Sequence, residues 1–145
     1  MPVIASVEKF AINAGASLAL ACDLIVCGES AFFRIGEVHQ GAGIPMNAAW
    51  WKIKTTELVA ARLALIGDRV SPAELLDLGL ITEIQPDNSV TSRCQELAEK
   101  MGQMPTGATC KIKESLIQQR QIADPEQFFP SSSTNALKGA PLLKQ

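Results

Sequence analysis

Two short stretches of the sequence contain the residues best suited to chemistry: a run of small residues and an acidic loop. Residues 13–17 read Asn-Ala-Gly-Ala-Ser and lead directly into an apolar run typical of a buried helix. The first N–H groups of a helix have no partner within the helix and lie at its positive end. Small side chains there would let an anionic oxygen approach those amides. The alternative is that these residues only permit close packing of a helix on a strand.

The acidic loop covers residues 37–45 and contains two glycines and a proline. Glu37 is a candidate acid or base for moving a proton, and the alternative is an ordinary solvated carboxylate. His39 is the only histidine of the chain. A single histidine in a loop is more often structural than catalytic, so we favour a structural role for it.

The composition of the 145-residue chain limits the classes of partner. The formal net charge is −2 and 19% of the residues are charged, which gives no electrostatic basis for binding nucleic acid or an anionic membrane. No apolar run reaches the roughly 18–20 residues that a membrane-spanning helix needs. Residues 1–10 have no basic segment and include Glu8, so they do not predict a signal peptide.

The cysteines predict reduced thiols rather than a metal site. They form no C-x-x-C pair and stand in apolar or helical sequence, whereas metal ligands need tight spacing. Reduced thiols favour a cytoplasmic or organelle-matrix location. We expect no metal and no separate cofactor. The four cysteines are Cys22, Cys27, Cys94 and Cys110.

Short strands that alternate with helices must position these residues. Buried-type apolar runs predict an α/β fold with parallel strands. The strongest local signal is residues 71–74, Ser-Pro-Ala-Glu, which predicts a helix with Ser71 as N-cap and Glu74 closing a capping box. Gly67 is the predicted C-cap of the preceding helix. The predicted strands are 2–7, 23–28, 31–36 and 80–84, and the predicted helices are 14–22, 46–66, 72–79, 88–103 and 107–122.

Several motifs in a fixed order give the chain a resemblance to a known family. MPVIASVEKFAINAGASLALACDLIV is followed by AFFRIGEV and then by ALIGDRVSPAELLDLGLITEI. In this order the sequence resembles the enoyl-CoA hydratase/isomerase (crotonase) superfamily, in its central and C-terminal portion. The resemblance implies a crotonase-like (ClpP/crotonase) spiral of β-β-α units, N-terminally truncated, with a helical C-terminal region. We divide the chain into a crotonase-like α/β core (1–84), a helical region (85–123) and a flexible tail (124–145).

The resemblance also implies roles for particular residues. In the superfamily, backbone N–H groups hold the oxygen of a thioester enolate, and by position one of these donors is the N–H of Ala14. Hydratases of the family use two glutamates, one in the place of Ser17 and one in the place of Glu37. Because only Glu37 is present here, isomerase-like proton transfer fits better than addition of water. Asp23 stands where the family usually has Asp, and we assign it a hydrogen-bonded structural role.

The chain departs from the family pattern in two ways. Trp50 and Trp51 occupy a region that is usually rich in glycine, and we interpret them as core residues rather than as part of an acyl pocket. The segment that normally supplies the first half of the sheet, the other oxyanion donor and most coenzyme A contacts is not recognisable. We therefore expect a homo-oligomer or a second chain that supplies the missing N-terminal half.

Two functions follow as hypotheses. The first is an enzyme that acts on an acyl-CoA thioester, with coenzyme A as part of the substrate and Glu37 as acid or base. The second is a non-catalytic or degenerate crotonase-fold subunit with a role in assembly, which the serine at position 17 favours.

Overall fold

Two small sheets and six α-helices make up the part of the chain that the structure describes. The computed structural model describes residues 1–120, 122 and 128, except for the side chains of residues 45 and 46. The predicted tail, 124–145, lies outside the described residues apart from Phe128. The strands are β1 (Ile4–Val7), β2 (Phe10–Ile12), β3 (Leu24–Gly28), β4 (Phe32–Arg34), β5 (Arg69–Val70) and β6 (Glu83–Gln85). The α-helices are α1 (Ala14–Ala21), α2 (Pro45–Lys54), α3 (Glu57–Ile66), α4 (Pro72–Asp77), α5 (Val90–Gly102) and α6 (Ala108–Gln118), and a 3₁₀ helix covers Glu37–Gln40.

The first four strands alternate between the two sheets. One sheet has the order β1-β3-β6 and is parallel throughout. The other has the order β2-β4-β5, with β2 parallel to β4 and β5 antiparallel to β4. Because each helix carries the chain back across the sheets, β1-β2-α1 and β3-β4-α2 form two successive β-β-α units whose equivalent strands pair. The prediction of an α/β fold with parallel pairing is confirmed.

Several predicted boundaries are wrong, each for an identifiable reason. The turn before α1 contains the unpredicted strand β2, which is three residues long and leaves Phe10 exposed, so its sequence shows no buried run. The predicted helix 46–66 is two helices, because the backbone is extended at Thr55, which ends α2. Thr56 then caps α3 by accepting from the N–H of Val59 at 3.4 Å. The strand predicted at 80–84 is shorter and lies later in the chain, as β6 (Glu83–Gln85). The two-residue strand β5 has no counterpart among the predicted strands.

The helix-end signals are confirmed in all but one respect. Ser71 caps α4 by accepting from the N–H of Glu74 at 3.2 Å, and Pro72 is the first helical residue. Gly67 ends α3 in the left-handed conformation with φ 71°. The prediction that Glu74 closes a capping box is wrong, because its carboxylate pairs with the guanidinium of Arg62.

The core lies between the sheets and the helices, with α1 packed against α2. Trp51 is buried at 1% exposure, and Trp50 is half-buried against the same core. The interpretation of both as core residues is therefore confirmed. All four cysteines are free. Within the described ranges, no helix is both long and apolar enough to cross a membrane. The largest fully buried side chains are Trp51, Phe33, Leu20, Ile35, Leu75, Val26 and Val90.

Candidate active site

The in-register pairing of β2 with β4 brings the two candidate stretches to one edge of a sheet. Ile12, the last residue of β2, lies opposite Arg34, the last residue of β4. Because the strands are parallel, the turns that follow them leave the sheet on the same side. The small-residue run and the acidic loop therefore emerge next to each other.

Asn13 joins these two turns directly. Its backbone N–H donates to the Arg34 carbonyl at 2.9 Å, and its side-chain Oδ1 accepts from the N–H of Gly36 at 2.8 Å. Asn13 has φ 52° and ψ −115°, a positive-φ conformation that residues other than glycine rarely adopt. The bond to Gly36 connects the residues that come immediately before Ala14 and Glu37.

Ala14 opens α1 and is exposed to solvent. The side chain of Asn13 does not cap the helix, since it is engaged by Gly36. The first bond of the helix runs from the N–H of Ser17 to the Asn13 carbonyl at 3.2 Å. Within residues 1–120, the backbone N–H of Ala14 has no hydrogen-bond acceptor. An unengaged N–H at the positive end of a helix can donate a hydrogen bond to an anionic oxygen, and its use as an oxyanion donor stays a prediction.

Glu37 begins the 3₁₀ helix and is half-buried. Its Oε1 accepts from the side-chain amide of Asn47 at 2.6 Å. Its Oε2 is buried and has no hydrogen-bond partner among the described residues. The carboxylate is thus anchored through one oxygen, while the other is buried and unpaired. An unpaired carboxylate oxygen suits a group that takes up and returns a proton.

Asn47 is the residue of the site that sequence reasoning missed. It lies on α2 with 4% of its surface exposed. The available signal was a polar residue, Asn47, among the apolar and small residues at the start of α2. Its partner Glu37 is ten residues away across an irregular loop. Only the folded structure shows that the two meet.

Ser17 stands on the buried face of α1 with 2% exposure. Its Oγ has no hydrogen-bond partner in the described part of the chain. It provides no carboxylate for a second acid or base, and its place in the site stays a prediction from the resemblance.

His39 braces the loop that contains Glu37. Its Nε2 lies 3.1 Å from the Gly67 carbonyl, which also accepts from Arg34 Nε at 2.9 Å. The backbone N–H of His39 donates to the Gly36 carbonyl at 3.1 Å. These contacts support the structural role that we favour for this histidine.

Asp23 has a structural role as well, which agrees with the prediction. Its Oδ2 accepts from the N–H of Val3 at 2.7 Å and from Lys113 Nζ at 2.7 Å. Partial burial acts to raise the pKa of this carboxyl, but the hydrogen bonds from Lys113 and Val3 outweigh it and hold the pKa below its ordinary value. The ion pair ties the turn between α1 and β3 to α6, and the hydrogen bond from Val3 ties the same turn to the residue before β1.

The described residues offer no metal cluster, and burial makes three of the thiols harder to ionise. Residues 1–120, 122 and 128 contain no group of three or more His, Cys, Asp or Glu side chains that could hold a metal ion. Burial raises the pKa of Cys27 to about 11, and it also raises the pKa values of Cys22 and Cys94. These thiols are therefore poor nucleophiles.

Comparisons with known proteins give the chain its context. A family model described as enoyl-CoA hydratase/isomerase matches residues 1–134. A mitochondrial enoyl-CoA hydratase of Pongo abelii is 32% identical over 117 residues, a match that covers 79% of this chain and 40% of that protein. A 2,3-dehydroadipyl-CoA hydratase of Escherichia coli K12 is 28% identical over 123 residues, covering 84% of this chain and 48% of that protein. The chain thus spans about half the length of the curated relatives it matches, or less.

Solved structures give the same result at the level of the fold. An enoyl-CoA hydratase from Mycobacterium avium subsp. paratuberculosis superposes with a TM-score of 0.76 at 28% identity, covering 81% of this chain and 48% of that one. A monofunctional enoyl CoA isomerase from M. smegmatis superposes with a TM-score of 0.74 at 27% identity, covering 90% of this chain and 62% of that one. The fold class that the motifs predict is confirmed.

Proposed function

Because the chain belongs to the enoyl-CoA hydratase/isomerase family, we propose that it acts on an acyl-CoA thioester and moves the position of a carbon–carbon double bond through an enolate. The observation that carries this proposal is that an unpaired carboxylate oxygen, Glu37 Oε2, and an unengaged helix-start amide, Ala14 N–H, belong to neighbouring turns at one edge of a sheet. The hydrogen bond from Gly36 to Asn13 holds the two segments together.

The proposed reaction needs one acid–base group. Glu37 takes the proton from the carbon next to the thioester carbonyl of a 3-enoyl-CoA. The electrons of the broken C–H bond move into the conjugated system, and the negative charge that develops on the thioester oxygen is stabilised by the Ala14 N–H. Glu37 then returns the same proton to the fourth carbon, which leaves the double bond conjugated with the carbonyl. Neither a metal nor a separate cofactor enters this balance, since coenzyme A is part of the substrate.

The residue at position 17 favours isomerisation over hydration. Adding water requires one group to activate the water and another to manage the proton. A buried serine with an unpaired hydroxyl supplies no second carboxylate. Transfer of one proton between two carbons of the same substrate requires only Glu37.

The test is the variant Glu37→Gln in the full chain, with conversion of a 3-enoyl-CoA followed by the ultraviolet absorbance of the conjugated product. We expect turnover to fall by about 10²–10⁴-fold, the range typical of a lost general acid or base. Glu29→Gln is the matched control, because Glu29 is exposed, and it should retain full turnover. Unchanged turnover in Glu37→Gln would remove the proposed role.

A second function, that of a non-catalytic subunit, has its own support. Over the described residues, β1 and β2 each pair on one side only. Their open edges and α1 line a groove of about 760 Å³. Phe10 and Leu18 beside it are exposed at 62% and 71%. Open strand edges and apolar side chains of this kind suit association with another copy or with a chain that supplies the other half of the fold.

Calorimetric titration with coenzyme A and with a short acyl-CoA separates the two functions. Binding of the acyl-CoA by the chain, alone or in its assembled form, is expected of the enzyme. An assembled form that binds neither ligand favours the subunit. We place either function in the cytoplasm or an organelle matrix, which the four free cysteines support.

A further inference from the structure

The side chain of Asn47 is the most unusual polar group of the site. It is 96% removed from solvent, given its 4% exposure, and it lies in the third position of α2. Its Nδ2 donates to Glu37 Oε1 at 2.6 Å, which is short for a hydrogen bond between nitrogen and oxygen. A donor that meets an ionised acceptor forms one of the stronger hydrogen bonds available to a protein.

The chemistry of the two groups fixes the orientation of the Asn47 amide. An ionised carboxylate only accepts hydrogen bonds, so the amide must turn its NH₂ toward Glu37. Its Oδ1 is then left buried without a partner among the described residues. A buried carbonyl without a hydrogen bond destabilises the folded chain. This cost offsets part of the stability that the bond to Glu37 provides, so stability is a weak reason to have an asparagine at this position.

The effect on Glu37 does give a reason. With Oε1 engaged by Asn47, Oε2 is the oxygen that remains available for a proton. The turn that contains Glu37 is held from its other side by the bond between Gly36 and Asn13. Asn47 and Asn13 thus fix the carboxylate and its backbone from two different helices, and those helices pack against each other.

We propose that Asn47 is a positioning residue that holds the Glu37 carboxylate by Oε1 and presents Oε2 to the substrate. This inference rests on the proposed function, because it assigns Oε2 to the proton transfer. It adds a residue that touches neither the substrate nor the reacting atoms and acts only through Glu37.

The kinetic test uses two variants of the full chain. Asn47→Ala removes the amide and leaves a small space, whereas Asn47→Asp keeps the shape but replaces the donor with an acceptor. We expect kcat for a 3-enoyl-CoA to fall by about 10- to 100-fold in both variants with little change in KM, since a misplaced catalytic group costs rate more than binding. Ala48→Asp is the control, because it adds the same charge at the neighbouring exposed position and should leave kcat unchanged.

A second measurement does not depend on turnover. In ¹⁵N spectra of the full chain, the signals that disappear in Asn47→Ala identify the Asn47 side-chain amide. These signals should shift when Glu37 is replaced in Glu37→Ala, while those of the exposed Asn88 should not.

The outcomes separate this inference from the proposed function. An Asn47→Ala variant with wild-type kcat would overturn the positioning role. So would Asn47 side-chain signals whose positions do not change in Glu37→Ala. If the wild-type chain turns over no thioester, the proposed function fails, and the spectra still decide whether Asn47 holds Glu37. A shift in the spectra together with a fall in kcat supports both.

Discussion

At the scale of single residues, the site contains side-chain polar atoms that form hydrogen bonds and others that form none. Glu37 and Asn47 share one hydrogen bond, and each keeps a buried oxygen without a partner in the described residues. The Ser17 hydroxyl is a third such group. Unpaired buried polar atoms are uncommon in folded proteins because each loses its bonds to water without replacement. Of the four such atoms in the described residues, three belong to the candidate site and the fourth is Trp51 Nε1 in the core.

Ser17 gives the residue-scale prediction for stability. Its buried hydroxyl has no partner in the described chain, and alanine is the better helix former, so Ser17→Ala should raise the free energy of unfolding by about 1 kcal/mol. Urea unfolding followed by circular dichroism measures this.

The control is Ser115→Ala on α6. The Ser115 hydroxyl is exposed and donates to the Lys111 carbonyl at 2.9 Å, so this variant gains the helix propensity but loses a bond. The increase in free energy of unfolding should therefore be smaller for Ser115→Ala than for Ser17→Ala. A destabilised Ser17→Ala chain would mean that the hydroxyl has a partner.

Sequence reasoning reached some of these residues and not others. Ala14, Ser17 and Glu37 were identified because their positions match motifs of a family. Asn47 could not be found that way, since what makes it part of the site is a single contact across a loop. Its burial depends on how α2 packs against α1, which residue types and spacing do not determine.

At the scale of elements, the acidic loop is supported by the end of a helix. The Gly67 carbonyl, at the end of α3, accepts hydrogen bonds from Arg34 and His39. Gly67 has φ 71°, and a Cβ added there would lie 2.6 Å from Val38 Cγ1 and 2.7 Å from His39 Nε2. The 3₁₀ helix that contains Glu37 therefore packs directly on this glycine.

Gly67→Ala should destabilise the chain and disturb the site. Gly79 offers a matched control, because it has φ 68° but open space where a Cβ would be. Both variants bear the cost of a left-handed alanine, and Gly67→Ala should cost about 1–3 kcal/mol more because of overpacking. Thermal and urea unfolding of the two variants give the difference. Thioester turnover should fall only in Gly67→Ala, and equal effects in the two variants would show that the contact with the 3₁₀ helix is unimportant.

Local signals predicted the ends of helices well and the short strands poorly. Ser71 and Gly67 act within a few residues of chain, so their types were sufficient. Glu74 failed to close its capping box because Arg62, twelve residues earlier, offers its carboxylate a charged partner. Strand β2 is stable only through its pairing with β4, and no signal within its three residues reveals that.

At the scale of the whole molecule, one ion pair connects segments that are far apart in sequence. Asp23 and Lys113 are 90 residues apart and join the α1–β3 turn to α6, while the same carboxylate holds the N–H of Val3. The division of the chain into a core and a helical region stays a prediction, and this ion pair links the two parts.

Asp23→Asn should destabilise the chain in a pH-dependent way. The pKa of Asp23 is lowered in the folded state from its ordinary value of 3.8. Its contribution is therefore complete above that value and disappears as the pH falls through the lower folded pKa. We expect a loss of about 1.5–3 kcal/mol near neutral pH, the range for hydrogen bonds to a charged group.

Urea unfolding of wild type and variant at neutral pH and in acid tests the prediction. The difference in free energy of unfolding between wild type and Asp23→Asn should decrease as the pH falls below the ordinary pKa of the carboxyl. Asp68→Asn, at an exposed position, is the control and should show little gap at either pH. A gap that stays constant in acid would mean that the carboxylate charge is not what stabilises the fold.

The pairing of β2 with β4 also determines how this protein tolerates insertions and deletions over evolution. The separation of Ala14 from Glu37 in space follows from the register of Ile12 against Arg34, and not from the length of chain between them. Residues can be gained or lost in the turn between α1 and β3 without moving the site. A single residue added between Ile12 and Ala14, or between Arg34 and Glu37, would shift one group relative to the other and abolish their shared geometry.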